Sequence, residues 1–422
     1  MRILLLTVLL AWAPSLNVDA QNGGVLIPMD SSQGNHLRAY GVTFRHLADG
    51  GTAEWLLHYR GGSFLLPNTP GLIEEARRLQ IDIEQIPESE LLRLRTRLDQ
   101  PDHRASRIPL NEAPRIAVYA PPGAMPWNDA VRLALDYADV PYDQIYDQEV
   151  LDGSLNSYDW VHLHHEDFTG QHGKFWSLYS QRPWYVESVR QQNHLAQELG
   201  YASVASLKRD VARTIRSYVV QGGYLFAMCS GPNTLDIALA AGDLDIVAEP
   251  FDGDPPADQI QENLDFSQTF AFENFQIDTD PFEYRHGTID IDPDLDQRTE
   301  ELDYFTLFDF APRWDPIPAM LTQNHVSSIR GFFGQTTAFR RHVIKSSVTI
   351  LGEASGRREV KYLHGRLGEG TFTFYAGHDP EDYTHRVNDP PTDLSLHPNS
   401  PGYRLILNNI LFPAAEPPRQ KT

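Results

Sequence analysis

The sequence predicts an α/β fold: a mostly parallel sheet with helices on both faces, a smaller α/β lobe ahead of it, and a β-rich insertion within it. Three observations carry this reading. From Arg115 onward, short apolar strands alternate with amphipathic helices, the pattern of βα units laid into a parallel sheet. The run Tyr224-Leu225-Phe226-Ala227-Met228 turns abruptly at Cys229-Ser230-Gly231-Pro232 into a helix. Across 243–345 that periodicity gives way to aromatic, Asp-rich segments punctuated by proline. The implied organisation is a leader at 1–20, an N-terminal lobe at 21–110, the first part of the sheet domain at 111–242, the insertion at 243–345 and the final part of the sheet domain at 346–422.

Residues 1–20 read as a signal peptide. Met1-Arg2 is a minimal basic start, Ile3 to Ala13 is apolar, and Val18-Asp19-Ala20 offers small residues for cleavage. Gln21 follows rather than a lipid-accepting cysteine, and no later apolar run approaches the roughly eighteen residues of a membrane span. The expectation is a periplasmic or secreted protein with no membrane span. Removing Arg2 and Asp19 leaves the net charge at −22, and only 5 of the 35 Lys and Arg residues are Lys. That balance excludes nucleic acid as a partner, while the acidity speaks of solubility rather than substrate. With 41% hydrophobic residues and 7 Trp, the chain can fill a large core.

The N-terminal lobe opens with the strand Val25 to Met29 and the helix His36 to Leu47, closed by Asp49-Gly50-Gly51. Strands at Ala53 to Tyr59 and Ser63 to Leu66 follow, then helices at Gly71 to Leu79 and Glu88 to Leu98. The polar, proline-containing stretch Asp99 to Pro114 marks a boundary. Beyond it come a strand at Arg115 to Ala120, a helix at Trp127 to Ala138, strands at Tyr142 to Tyr146 and Tyr158 to His164, and helices at Val186 to Leu199 and Ser206 to Gln221. After the insertion the sheet resumes with Ser347 to Leu351, Glu359 to His364 and Thr371 to Ala376, and Tyr403 to Leu411 is the last helix.

Two groups of residues carry chemistry. Cys229 is the only cysteine of 422 residues. In an exported chain a structural cysteine normally has a disulfide partner, so this thiol is either a small core residue or a reactive one. The second group is His162-Leu163-His164-His165-Glu166-Asp167, followed by His172. Strand alternation sets Val161 and Leu163 on one face, His162 and His164 on the other. Such a loop either lines a pocket with hydrogen-bonding groups or supplies His162, His164, His165 and Glu166 to a divalent metal, with His378 as a further ligand. No cofactor is otherwise predicted. Asp252-Gly253-Asp254 and Asp290-Ile291-Asp292-Pro293-Asp294 lack the full spacing of a calcium loop and read as solvated acidic turns. Gly331 to Thr337 reads as a tight turn or a ligand-facing loop, and the polar run from His385 to Pro401 as a contributor to substrate binding.

The strand ending Ala227-Met228-Cys229-Ser230-Gly231, taken with the late Gly370-Thr371-Phe372-Thr373-Phe374-Tyr375-Ala376-Gly377-His378-Asp379-Pro380-Glu381, resembles the class I glutamine amidotransferase-like superfamily. The closest resemblance is to its trehalose-utilisation-like branch, over Arg115 to Phe412 without the insertion. The resemblance implies a flavodoxin-like sheet, Cys229 as nucleophile at a strand-to-helix elbow, His378 as its base, and Glu381 or Asp379 orienting the imidazole. It further implies an oxyanion held by the Ser230 N–H and a donor from an earlier loop, with Gly231, His164, His165 and Glu166 lining the substrate site. Two positions depart from the pattern: Ala227 stands where the elbow has a glycine, and the usual His-x-Glu is His378-x-x-Glu381. The whole chain also resembles exported bacterial proteins labelled asparagine synthetase B. That synthetase needs an amino-terminal cysteine and a Ser-Gly-Gly loop, and this chain has Gln21 and no Ser-Gly-Gly. The expected function is cysteine-dependent amide hydrolysis or acyl transfer on a small amide, peptide or cell-wall fragment. The alternatives are a binding protein for a carbohydrate or related metabolite, and a metal-dependent hydrolase.

Overall fold

The computed structural model describes residues 23–123, 127–291, 298–354 and 356–415. The leader at 1–20 and Asp292 to Asp294 of the second acidic turn lie outside them. The first lobe runs β1 (Gly23–Ile27), α1 (His36–Ala48), β2 (Ala53–Leu57), β3 (Ser63–Pro67), α2 (Pro70–Arg78), β4 (Glu84–Pro87), α3 (Glu88–Leu98) and β5 (Ser106–Leu110). Its five strands form an antiparallel sheet in the order β4-β1-β3-β2-β5. Local chemistry starts the helices: the Asn35 side chain accepts from the Arg38 N–H to cap α1, and Thr69 from the Leu72 N–H to cap α2. On α3, Leu91, Leu94 and Leu98 share one face and pack with Leu26, Leu56 and Leu65. Strand β5 falls inside the stretch expected to be a linker. It turns Ile108 and Leu110 inward opposite Trp55 and Ala53, and Pro109 is tolerated because β5 is an edge strand.

The second region runs β6 (Ile116–Tyr119), α4 (Ala130–Ala138), β7 (Asp143–Ile145), α5 (Asp147–Leu151), β8 (Trp160–Leu163), α6 (Trp176–Tyr179), α7 (Pro183–Glu198), α8 (Val204–Val220), β9 (Tyr224–Met228) and α9 (Gly231–Ala241). It continues with α10 (Glu249–Asp252), β10 (Tyr304–Leu307), α11 (Pro316–Leu321), β11 (Ser328–Arg330), β12 (Phe339–Arg340), β13 (Thr349–Ala354), β14 (Glu359–Leu367), β15 (Gly370–Tyr375) and α12 (Pro401–Leu411). These strands build a ten-stranded sheet, β11-β10-β13-β14-β15-β9-β8-β6-β7, with β12 paired to β14.

The sheet is mixed, not mostly parallel. Strands β7, β6, β8, β9 and β15 run parallel to their neighbours, and the pairings from β15 outward through β14, β13, β10 and β11 are antiparallel. Connection length explains the change: parallel neighbours need a crossover of about a dozen residues, which the helices supply, whereas β14 returns into β15 through the two-residue turn Gly368-Glu369, with Gly368 at φ 61°. The expected β-rich insertion contains three short strands among its described residues, and its other segments are loops and short helical turns. Two of these strands extend the sheet instead of forming a separate roof.

Alternate residues of the central strands feed two hydrophobic clusters. Ile116, Val118, Trp160, Phe226 and Met228 pack with Val131 and Leu135 of α4 and Leu405 of α12. Ala117, Val161, Leu163, Leu225 and Ala227 pack with Leu207, Val211 and Ile215 of α8 and Leu235 of α9. The first cluster is continuous with the N-terminal lobe through α1. Buried Arg404 of α12 stitches the two regions together: it donates to Tyr40 Oη (3.1 Å), to the Met29 carbonyl (2.7 Å) and to the Gly61 carbonyl. Among the described residues, no helix is long and apolar enough to cross a membrane.

Candidate functional site

Cys229 is the residue between β9 and α9, and its backbone is left-handed, φ 50°. For a side chain bearing a Cβ this region costs on the order of 1 kcal/mol or more, so the surroundings must hold it there. The Cys229 N–H donates to the Gly377 carbonyl at 3.2 Å and the Gly231 N–H to the His164 carbonyl at 2.9 Å. The turn therefore rests on the ends of β15 and β8. At Gly231 an added Cβ would lie 2.8 Å from the His164 oxygen, so this position requires glycine. Ala227 needs none, because it is an extended residue of β9 paired between Leu163 and Phe374.

His378 follows β15 through Gly377, at φ 98°. The loop Phe332 to Ala338 clasps this end of the sheet: the Gly377 N–H donates to the Thr336 carbonyl and the His378 N–H to the Phe333 carbonyl, both at 2.8 Å. Asp290 secures the loop in turn, its Oδ1 accepting from the Thr337 and Ala338 N–H groups at 2.9 and 3.2 Å. Expected in a solvated turn, Asp290 is instead buried, and burial pushes its carboxyl up to about 7. Cys229 and His378 line one cavity of about 480 Å³, together with His165, His385, Gln335 and Arg386. The loop 331–337 and the segment from His385 therefore both face it. Its walls also carry Trp127, Phe175, Tyr179 and Tyr284.

Burial pushes the Cys229 thiol up to about 11, against the pull of the Gln335, Thr336 and Ser230 backbone N–H groups gathered at the sulfur. At rest it is a neutral thiol. Two of the three N–H groups at the sulfur come from a loop later in the chain, Gln335-Thr336. His378 stays neutral too: burial first, then the rings of His164, His385 and His165, hold it well below the usual imidazole range.

A second histidine meets His378, and a carboxylate lies beyond it. Nδ1 of His378 lies 3.2 Å from Nε2 of His164, and Nδ1 of His164 lies 3.6 Å from Oδ1 of Asp129. Burial would raise the Asp129 carboxyl, but the facing His162 and His164 rings outweigh it and hold the group well below the carboxylate range. The same oxygen accepts from the Val131 and Arg132 N–H groups at 2.8 and 3.1 Å, capping α4. With the proton of His164 on the nitrogen facing this carboxylate, its Nε2 accepts and His378 donates from Nδ1. That leaves Nε2 of His378 with a bare lone pair, and this nitrogen is buried without a partner.

The acids named from the motif do not orient His378. Asp379 accepts from the Glu381 N–H at 2.9 Å and from Thr392 Oγ1 at 2.8 Å, and Glu381 pairs with His397 at 3.1 Å. Glu166 accepts from the His164 N–H at 3.3 Å. Burial, then the charge of Asp129, pushes its carboxyl up to about 8. His162 is anchored on the Phe226 carbonyl at 3.0 Å, with its Nε2 3.4 Å from Asp129. Asp167 turns toward His286, 3.6 Å away, and takes the Gly173 N–H at 2.8 Å. His172 meets Gln192 at 3.1 Å. Two groups with metal-ligand spacing stand out here among the described residues, each within 4.8 Å: the ring nitrogens of His164, His165 and His378, and those of His162 and His164 with a carboxylate oxygen of Asp129.

Asp129, beside this cluster, is not singled out in the sequence. Asp129 is legible as a helix cap, being Asp directly before Ala130-Val131, but nothing local links it to histidines on another strand. Gln335 and Thr336, in the loop read as a tight turn or ligand-facing, approach the Cys229 sulfur through backbone N–H groups, which carry no residue signature. His385 stacks on His378 with ring centroids 3.9 Å apart, a contact set by the path of a loop.

No family model matches the sequence, and no curated protein matches it. Similar solved structures include Cytoplasmic Protein STM3548 from Salmonella typhimurium (11% identity, 72% of this chain and 99% of that one, TM-score 0.34). Others are Cytoplasmic Protein STM1381 from Salmonella typhimurium LT2 (11%, 72% and 100%, TM-score 0.36) and a β-galactosidase from Bacillus circulans sp. alkalophilus (10%, 64% and 29%, TM-score 0.26). Likeness of this degree assigns neither family nor activity.

Proposed function

We infer that the chain is an exported cysteine-dependent amidohydrolase or acyltransferase of the class I glutamine amidotransferase-like kind, acting on a small amide, peptide or cell-wall fragment. One observation carries the reading: Cys229 is held in a left-handed backbone at a strand-to-helix elbow, in the same cavity as His378, whose Nε2 lacks a partner. The parallel part of the sheet supports the finer fold assignment. Numbered along the chain, its order β7-β6-β8-β9-β15 is 2-1-3-4-5, as in flavodoxin-like sheets, and both residues follow the carboxyl ends of strands. In the reaction, His378 Nε2 takes the thiol proton as sulfur attacks the carbonyl carbon. The oxyanion is held by the N–H groups of Ser230, Gln335 and Thr336. The C–N bond then breaks, the amine leaves with the proton from His378, and water or an acceptor amine resolves the thioester. Asp129, through His164, stabilises the imidazolium that forms.

Labelling by iodoacetamide tests this. A buried thiol pushed up to about 11 reacts more slowly than free cysteine at neutral pH unless a base assists it. Cys229 is expected to label faster than free cysteine, and His378→Ala to slow it by about 10²-fold or more. Slow labelling in both chains sinks the enzyme reading. It would favour the second reading, a carbohydrate-binding protein without turnover, which the aromatic walls of Trp127, Phe175, Tyr179 and Tyr284 support.

A further inference from the structure

We propose that His164, His165 and His378 form a binding site for a zinc-class divalent cation, and that the bound ion takes the base away from Cys229. The metal site stands on its own geometry; the effect on the thiol rests on the cysteine reading above.

Tetrahedral zinc with Zn–N bonds near 2.0–2.1 Å spaces two ligand nitrogens about 3.3 Å apart. His164 Nε2 and His378 Nδ1 are 3.2 Å apart. His165 is the third member: one ring nitrogen from each of the three histidines lies within 4.8 Å of the others. Closing the set asks it to move by at most about 1.5 Å, and His165 is the partly exposed member of the three. Behind His164 stands the Asp129 carboxylate, 3.6 Å from the other ring nitrogen, which is buried without a hydrogen-bond partner; a shortening of a few tenths of an ångström on metal binding would make the outer carboxylate that fixes a ligand's tautomer and raises its basicity. The third ring has a nitrogen to give: His165 Nδ1 is buried without a hydrogen-bond partner. Three protein nitrogens beside a cavity leave a fourth position for water or substrate. Imidazole donors without thiolate or carboxylate select zinc-like ions over magnesium or calcium.

The consequence for Cys229 follows from where one proton sits. As a base, His378 carries its proton on Nδ1, donated to His164, with the lone pair on Nε2. To bind the ion it must offer the Nδ1 lone pair, and its proton then resides on Nε2. The nitrogen able to accept the thiol proton is thereby filled. Metal binding and thiol activation therefore demand opposite tautomers of one ring.

The test uses the full chain, stripped with chelator and titrated with CoCl₂. One equivalent is expected to produce the visible d–d bands of low-coordinate Co²⁺. These should be lost in His164→Ala, His165→Ala and His378→Ala, kept in Cys229→Ser and His397→Ala, and require about 10- to 100-fold more Co²⁺ in Asp129→Asn. Circular dichroism on each variant, with His165→Gln as a milder replacement, separates lost ligands from lost folding. Absence of the bands, or their survival in all three folded histidine variants, overturns the site. In the second arm, saturating Co²⁺ is expected to slow iodoacetamide labelling of Cys229 in the wild-type chain but not in His165→Ala, whatever the basal rate of that variant. Unchanged wild-type labelling with the d–d bands present overturns the coupling and leaves the site standing. Slow labelling without metal sinks the cysteine reading, while the Co²⁺ titration still decides the site.

Discussion

At Asp129 two roles share one oxygen: it caps α4 and it faces His164. Substitution can separate them. Asn caps as well as Asp but lacks the charge that stabilises a relayed imidazolium. Asp129→Asn is expected to keep the melting temperature close to wild type and to slow Cys229 labelling about tenfold or more. Asp129→Ala loses the cap as well, at about 1 kcal/mol, and leaves His162 and His164 without their carboxylate. Equal labelling rates in wild type and Asp129→Asn would show that His164 merely packs against His378. At this scale the sequence was legible where chemistry needs a rare side chain in a marked turn, as at Cys229 and His378. It was silent where the acid is remote: Glu381 and Asp379 lie near His378 in sequence, yet the loop after β15 turns both toward Thr392 and His397.

The elements around the site decide where the turn at Cys229 requires glycine and where it does not. Ala227 is a strand residue and tolerates its Cβ, whereas Gly231 marks the closest approach of α9 to β8. Gly231→Ala is expected to cost about 1–3 kcal/mol in a denaturant titration, since the His164 carbonyl must move. Ala227→Gly gains nothing from backbone relief and costs roughly 0.5–1 kcal/mol through flexibility. If Gly231→Ala proves neutral while Ala227→Gly stabilises, the elbow is strained at its other side. The βα alternation from Arg115 exposed the parallel strands, because each is bounded by a helix of contrasting period. Strands β10, β11 and β12 have 4, 3 and 2 residues, too short for a period to register, and Pro109 hid β5. The antiparallel half of the sheet followed from a two-residue turn at Gly368-Glu369 that no hydrophobic pattern reports.

For the whole molecule, buried titratable groups set the response to pH. Burial holds His36, His164, His325 and His364 neutral in the fold, down to about 4, 3, 3 and 4. Unfolded imidazoles protonate near 6.5, so the stability these groups provide is complete above about pH 6.5 and is lost as pH falls toward 4. Asp236, Asp290 and Glu166, pushed up mainly by burial to about 6, 7 and 8, act oppositely. They keep protons that the unfolded chain has released, so their contribution grows as pH falls from 8 toward 4. His165 and His378, also held well below the imidazole range, tilt the balance toward the histidines. The melting temperature is therefore expected to drop between pH 6.5 and pH 4.5. A rise over that interval would show the buried carboxylates in command.

Arg404 gives the molecule an order of assembly. Its guanidinium completes the bonding of the Met29 and Gly61 carbonyls and of Tyr40, all synthesised well before it. A ribosome that has released these residues has not yet made the side chain that joins them. The strand-and-helix segment around Met29, Tyr40 and Gly61 consequently completes its bonding only when a residue 343 or more positions downstream docks on it.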